Sequence, residues 1–312
     1  WRDWSSDVCS SDLEGAQPRR RDDPRHTRQS WQNRRVKPGV GNQSQLSGPE
    51  RSGVHALPSQ DALRLRDCYL TFSPKVGREV PAVAGLTLSV LDGEFVAIVG
   101  PSGCGKSTAL RLVTGLLVPD RGEVTVLGTS ADQARRRRLG GVVFQDPALL
   151  PWRTVRENVG LPLEVAGVSR SKRAEAADRA ITQVGLGGFE DSLPDQLSGG
   201  MRQRCALARC LTSDPRFILM DEPFSAVDEL TRDRLNIELL DVWARTRAAI
   251  LFVTHSIEEA VFLADRVVVV SRRPARVVSE FPIPLVRPRP LSLKRDRSEE
   301  HTSELQSRQY LV

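Results

Sequence analysis

Aromatic residues are scarce in this 312-residue chain: they make up 5%, two of them are Tyr, and none interleaves with the basic runs. Cations without stacking partners argue against a nucleic-acid groove, so no nucleic-acid partner is expected. The net charge of +6 does not change this, because residues 14–61 carry nine Lys/Arg against five Asp/Glu, leaving +4 of the excess in one polar leader. The run Arg135-Arg136-Arg137-Arg138 is short and precedes a strand pattern, as a solvated face would. No run approaches the roughly 18 to 20 apolar residues that span a bilayer, so any membrane role is peripheral. The five cysteines form no C-x-x-C pair or regular framework, which fits a reducing cytosol. No signal-peptide pattern is evident. What the chain does have is 39% hydrophobic residues, enough for a sizeable core.

The two ends share an odd property. Asp3 through Leu13 can be back-translated to a DNA string whose reverse complement encodes Arg297 through Ser307, eleven residues matched. This resembles a translated sequencing-library adapter, so residues 1–13 and 297–312 are expected to lie outside the fold. Residues 14–61 are expected to be a disordered leader or non-native upstream sequence, and 291–312 a tail.

One stretch organises the remainder. Gly100-Pro101-Ser102-Gly103-Cys104-Gly105-Lys106-Ser107-Thr108 satisfies G-x-x-x-x-G-K-[ST] and follows the apolar, β-branched run Glu94 to Val99. In that pattern backbone N–H groups wrap phosphate oxygens at a helix N-terminus, with Lys106 reaching the β- and γ-phosphates and the Ser107 hydroxyl ligating Mg²⁺. Cys104 stands beside Lys106 at the helix start, where thiolate is favoured. Either its alkylation blocks nucleotide binding, or it is simply a small side chain in a tight turn.

Around this loop the pattern changes by segment. Leu63, Leu65, Cys68, Leu70 and Phe72 alternate with one slip, and Leu86, Leu88 and Val90 alternate before Asp92-Gly93, which predicts an antiparallel β layer. Gly122 to Gly128 bounds a further strand, and Leu139 to Phe144 reads as a core strand. Between Pro147 and Ser198 an α-helical insert of about fifty residues is expected, with Ala174, Ala177, Ile181 and Val184 in phase and Gly185 as a stop. Strands resume at Phe217–Met220, Ala248–Val253 and Arg266–Val270. Helices separate them, one with Leu235, Leu239 and Val242 on its face and one opened by a capping box at Ser256–Glu259. Such alternation means a parallel sheet covered on both faces. After Ser271 the chain becomes Pro- and Arg-rich and loses period.

The strand at Phe217–Met220 ends in Asp221-Glu222, placing two carboxylates at the C-terminal edge of a parallel sheet, where α/β folds bind ligands. Asp221 suits Mg²⁺ coordination, and Glu222 suits polarising an attacking water as general base. Gln145 and His255 each follow an apolar strand. Singly each is an ordinary strand-end polar group; together they emerge at that same edge, Gln145 toward Mg²⁺ and water, His255 toward the γ-phosphate. In Leu197-Ser198-Gly199-Gly200-Met201-Arg202-Gln203-Arg204, Ser198 reads as an N-cap and the glycines allow close approach to an anion. Two such sites for one triphosphate are economical if the second completes the loop of another copy. Met201 is expected to pack.

Together these motifs, with Asp221-Glu222-Pro223-Phe224-Ser225-Ala226-Val227-Asp228 and His255, resemble the ATP-binding subunit of an ABC transporter over roughly residues 62–290. The resemblance implies a P-loop NTPase core, a parallel sheet between helices, with an antiparallel β subdomain and an inserted α-helical subdomain at about 147–206. It implies an ATPase using ATP and Mg²⁺, the latter held through Ser107, Gln145 and Asp221, with catalysis by Glu222, His255 and Gln145. Two copies would sandwich two ATP molecules, Leu197 to Met201 closing on the partner's ATP and Ser225, Ala226, Val227 and Asp228 forming the coupling D-loop. Val227 stands where the family more often has Leu. Phe72, in preference to Tyr69, falls where an aromatic stacks on adenine.

Phe144 through Val159, Asp228-Glu229-Leu230-Thr231-Arg232 and Glu258 through Arg266 look like the nitrate/sulfonate/taurine importer branch. That resemblance implies a homodimer on the cytoplasmic face of the plasma membrane, bound to permease subunits and indirectly served by a solute-binding protein. An ABC ATPase for another solute, or a soluble one without transport, is the alternative. Trp152 either receives the membrane partner or fills the core of the insert.

Overall fold

The computed structural model describes residues 61–73 and 77–291. Both adapter-like ends, residues 14–60 of the predicted leader and residues 292–312 of the tail lie outside the described residues. Asp61 itself, assigned above to the leader, opens the first strand.

The chain begins with β1 (Asp61–Phe72) and β2 (Val80–Leu91), an antiparallel pair, followed by β3 (Phe95–Val99) and α1 (Lys106–Val113). Then come β4 (Arg121–Val126), β5 (Thr129–Ser130) and α2 (Ala131–Arg136). The first sheet runs β2-β1-β4-β5. The slip read in β1 is a register shift between Leu65 and Cys68 at a bulge, where Asp67 turns left-handed (φ 47) and donates its N–H to Thr87 Oγ1 at 3.0 Å. This restores the alternation, so Leu63, Leu65, Cys68 and Leu70 are all buried.

The chain continues through β6 (Gly140–Val143), α3 (Val155–Val165), α4 (Arg170–Gln183), a 3₁₀ turn at Pro194–Gln196 and α5 (Gly199–Leu211). Thr154 and Glu157 form a reciprocal capping box on α3, and Gly185 (φ 66) follows the end of α4. The last part is β7 (Phe217–Asp221), α6 (Glu229–Thr246), β8 (Ala249–Thr254), α7 (Ile257–Leu263), β9 (Arg266–Val270) and β10 (Val277–Pro282). The second sheet runs β10-β9-β3-β8-β7-β6 and is parallel except for β10. Its alternate residues feed two cores. Phe95, Ala97 and Val99 face the cluster with α3 to α7, while Val96 and Ile98 face the cluster with α1, α2 and the antiparallel sheet. Each fully buried Leu, Ile or Phe in these clusters contributes about 1.5–3 kcal/mol.

Two expectations are corrected. The segment Leu139 to Phe144 is not a core strand: β6 pairs only with β7 and forms the sheet edge, half-buried over Gly140–Val142. Of the Ser256 capping box only one half forms, Ser256 Oγ accepting the Glu259 N–H, while the Glu259 carboxylate accepts from Thr254 Oγ1 at 2.5 Å. The Pro- and Arg-rich segment after Ser271, within the span of the resemblance, adds one further strand: β10 pairs antiparallel with β9, and residues 283–291 fold onto α7 through two arginines. Arg289 donates to the carbonyls of Val261, Phe262 and Ala264 at the α7 C-terminus, where cations are favoured; its burial lowers the guanidinium to about 10. Arg287 bonds Asp265 Oδ1 at 2.7 Å and lies 4.3 Å over the Trp243 ring. Among the described residues no helix is long and apolar enough to cross a membrane.

Candidate active site

The loop after β3 enters α1 through Gly105, whose φ of 120 and closeness to Ala82 exclude any side chain, since a Cβ placed on it would lie 2.6 Å from the Ala82 carbonyl oxygen. No side chain caps α1, so the N–H groups of its first turn face the loop Gly100-Pro101-Ser102-Gly103-Cys104-Gly105. Lys106 is buried and donates Nζ to the carbonyls of Gly100 (2.8 Å) and Pro101 (3.0 Å). Thr108 is buried on the same helix. Cys104 is 1% exposed, with its Sγ close to Gly100; it is a packed small side chain, and the alkylation reading is not supported by its burial.

Parallel register brings the acids to this loop. Val99 pairs with Thr254 and Asp221 with Val253, so the ends of β3, β8 and β7 are level. Ser107 Oγ donates to Asp221 Oδ1 at 3.0 Å. Burial pushes the Asp221 carboxyl above its ordinary value near 3.8, opposed by that hydrogen bond. Glu222 Oε1 is 3.7 Å from Lys106 Nζ, and Oε2 is 3.3 Å from His255 Nδ1. The Glu222 backbone is left-handed (φ 45), pinned by its N–H on Val253 O at 2.9 Å and by Ser225, whose N–H and Oγ both donate to Glu222 O. Val143 pairs with Met220 as the last pair of β6 and β7, and Gln145, two residues past the end of β6 on that side of the sheet, is exposed.

Phe72 pairs with Val80, two residues before Ala82, and is 38% exposed at the rim of the antiparallel sheet. Tyr69 is engaged elsewhere, its ring 5.3 Å from the Arg121 guanidinium.

The second helix terminus forms as read: Ser198 is the N-cap of α5 and its Oγ accepts the Met201 N–H at 3.3 Å. Leu197 is buried and Met201 packs against the core. Gly200 also has a packing reason, because a Cβ there would sit 2.7 Å from Thr231 Cγ2 in the first turn of α6. Gly199 faces Val227. No hydrogen bond or ion pair links residues 197–201 to 100–108 among the described residues.

Ser225, Ala226, Val227 and Asp228 form the turn into α6, with Asp228 Oδ1 accepting the Thr231 N–H at 3.0 Å; that backbone hydrogen bonding holds the Asp228 carboxyl below its usual range. Arg232 fixes the turn by donating to Phe224 O (3.2 Å) and Val227 O (2.9 Å). Its role was not read from sequence, though an Arg four residues past an N-cap Asp is a recognisable way to satisfy turn carbonyls.

A Gly-rich loop between strand and helix, a buried Lys and Ser at its end, and two acids level with it across a parallel sheet define a P-loop nucleoside triphosphatase. Comparison with known proteins carries this further. The ABC transporter family model matches residues 83–225. The chain is 50% identical over 208 residues to a putative ATP-binding protein of Brucella abortus, covering 67% of this chain and 79% of the relative. It is 43% identical over 225 residues to the taurine import ATP-binding protein TauB of Rhizobium johnstonii, covering 72% and 85%. Among solved structures, a dimeric bacterial ABC transporter cassette matches with 31% identity and a TM-score of 0.64 over 72% of this chain and 100% of that one. A post-hydrolysis state of the same cassette, bound to ADP and Pi, matches at 30% and 0.64. The chain belongs to the ATP-binding subunits of the ABC transporter family and is an ABC ATPase.

Proposed function

We propose that this ATPase drives an ABC importer for a small anionic solute such as nitrate, an aliphatic sulfonate or taurine, as a homodimer on the cytoplasmic face of the plasma membrane. The observation that carries the catalytic part is Glu222, held between His255 and Lys106 beside the Ser107–Asp221 pair. The oxygen donors Ser107 Oγ, Asp221 and the Gln145 amide fit Mg²⁺, a hard cation. When bound it would offset phosphate charge. Gly100 to Thr108 and the Lys106 ammonium bind the phosphates, Phe72 stacks on the adenine, and Glu222 takes the proton of the attacking water, with His255 and Gln145 orienting it. Leu197, Ser198, Gly199, Gly200 and Met201 of one copy close on the ATP of the other, and Ser225 to Asp228 couple the two sites.

The importer reading is supported by the likeness to the taurine import protein and by Trp152, which is 72% exposed beside a groove of about 640 Å³ lined by Arg153, Glu157, Glu164 and Arg173. An aromatic in that position suits an interface with the permease rather than the core of the insert. The test co-expresses the chain with the permease and binding protein encoded beside it and measures ATP hydrolysis in vesicles. Stimulation by taurine-, sulfonate- or nitrate-loaded binding protein is expected; stimulation only by a solute that carries no sulfonate, nitrate or other anionic group overturns the solute class. Loss of permease co-purification on Trp152→Ala is expected, and retained co-purification removes the interface role.

A further inference from the structure

Helix α5 is bonded to the chain on both sides of Gln145. It has 13 residues and so is about 20 Å long. It lies so close to β6 that a methyl group on Gly141 would overlap Cys210 Sγ. One turn into the helix Gln203, 3% exposed, donates Nε2 to Phe144 O at 3.1 Å. Two turns further Arg209 donates Nη1 to Ala148 O at 2.8 Å and Nη2 to Pro147 O at 2.5 Å. No acid among the described residues pairs with Arg209, and the half-buried guanidinium is satisfied by its two carbonyl bonds. Only Gln145 and Asp146 lie between these attachments. Asp146 Oδ1 accepts the Ala148 N–H at 2.9 Å and closes the turn, and buried Asn158 holds the next stretch through Leu150, Arg153 and Thr154. Gln145 itself makes no side-chain hydrogen bond among the described residues. The opposite end of α5 is the Ser198–Met201 terminus, seated on Val227 and Thr231.

We propose that Gln203 and Arg209 are positioning residues through which α5 sets where Gln145 stands at the Asp221–Glu222 edge. A displacement of the Ser198 end is then carried by a packed helix to Gln145. The inference rests on the role given above to Gln145 in hydrolysis. Removing either side chain leaves loop carbonyls unpaired without touching the phosphate loop or the acids.

The test is a double-mutant cycle on the purified full chain, with hydrogen exchange of residues 144–148 as a second readout. Gln203→Met keeps the length and removes the donor; Arg209→Lys keeps the charge and removes the fork, and serves if Gln203→Met does not fold. Each is expected to lower kcat roughly threefold to thirtyfold with ATP KM within about twofold. Exchange at 144–148 is expected to rise more than exchange elsewhere in the chain, with the melting temperature lowered by a few degrees. Adding either change to Gln145→Ala is expected to cost nothing further, because the pathway then has no end point. A full multiplicative loss in the Gln145→Ala background, or unchanged exchange at 144–148, overturns the proposal. If Gln145→Ala alone leaves kcat intact, the catalytic role of Gln145 fails, and the exchange readout still decides whether α5 holds the loop.

Discussion

Helices α1 and α5 both point their N-termini at places where an anion would be welcome, yet they differ in what they leave open. α1 starts at Gly105 without a side-chain cap, and around it stand a Lys, a Ser hydroxyl, two acids and a His. α5 starts at Ser198, whose hydroxyl already accepts an N–H of the first turn, and around it stand Gly199, Gly200, Val227 and Thr231. A helix dipole with one hydroxyl offers on the order of 1 kcal/mol to a charge. The first terminus therefore assembles affinity and chemistry, while the second can only complete a site that something else has loaded. On the proposed reading that something is the ATP on another copy.

The sharpest way to break this contrast is Glu222→Gln. Hydrolysis measured by phosphate release is expected to fall about 10²- to 10⁴-fold. ATP then accumulates unhydrolysed, and light scattering should show an ATP-dependent dimer; a variant that stays monomeric with ATP and Mg²⁺ counts against α5 completing the site. Next in size is Gly105→Ala. Backbone strain at φ 120 costs about 1–3 kcal/mol before the clash with Ala82 is added. Nucleotide affinity by titration calorimetry should be lost with it. Ser198→Ala should be milder, lowering stability in denaturant by about 1 kcal/mol as a lost cap. Hydrolysis should drop while nucleotide binding to the isolated chain is retained; equal loss of binding would make the two termini equivalent.

The smallest effect on stability concerns Asp221. Burial raises its pKa, so the folded chain keeps a proton there at pH values where the unfolded chain has released it. Its contribution favours folding in acid and fades as pH rises through the raised folded-state value. Asp221→Asn should therefore raise the melting temperature slightly at neutral pH and flatten its pH dependence, while Mg²⁺-dependent hydrolysis is lost. A lower melting temperature would mean the Ser107 hydrogen bond outweighs burial.

Residues whose reasons are local could be read directly. The bulge in β1, the stop at Gly185 and the cap at Ser198 each follow from a few neighbouring residues. That β3, β7 and β8 run parallel followed from apolar runs separated by helices, and with it the shared edge of Asp221, Glu222 and His255; their order in the sheet did not. What escaped depends on contacts between distant segments. The place of β6 at the sheet edge comes from pairing, which a four-residue apolar run does not encode. β10 has only a weak alternation, broken by Pro and Arg. Arg289, Arg232, Gln203 and Arg209 look like ordinary surface residues until the carbonyls they satisfy are known. Gly200 was legible as a close approach, but the packing of α6 against it was not, because Thr231 lies thirty-one residues away.

The left-handed backbone of Glu222 has one more consequence. The backbone gains nothing from a glutamate there: glycine would occupy that conformation without strain, and asparagine more readily than glutamate. Turnover and backbone strain therefore pull this position in opposite directions. In a copy released from the need to hydrolyse ATP, random substitution would relax position 222 early, so its identity serves as a record of whether a lineage still burns nucleotide.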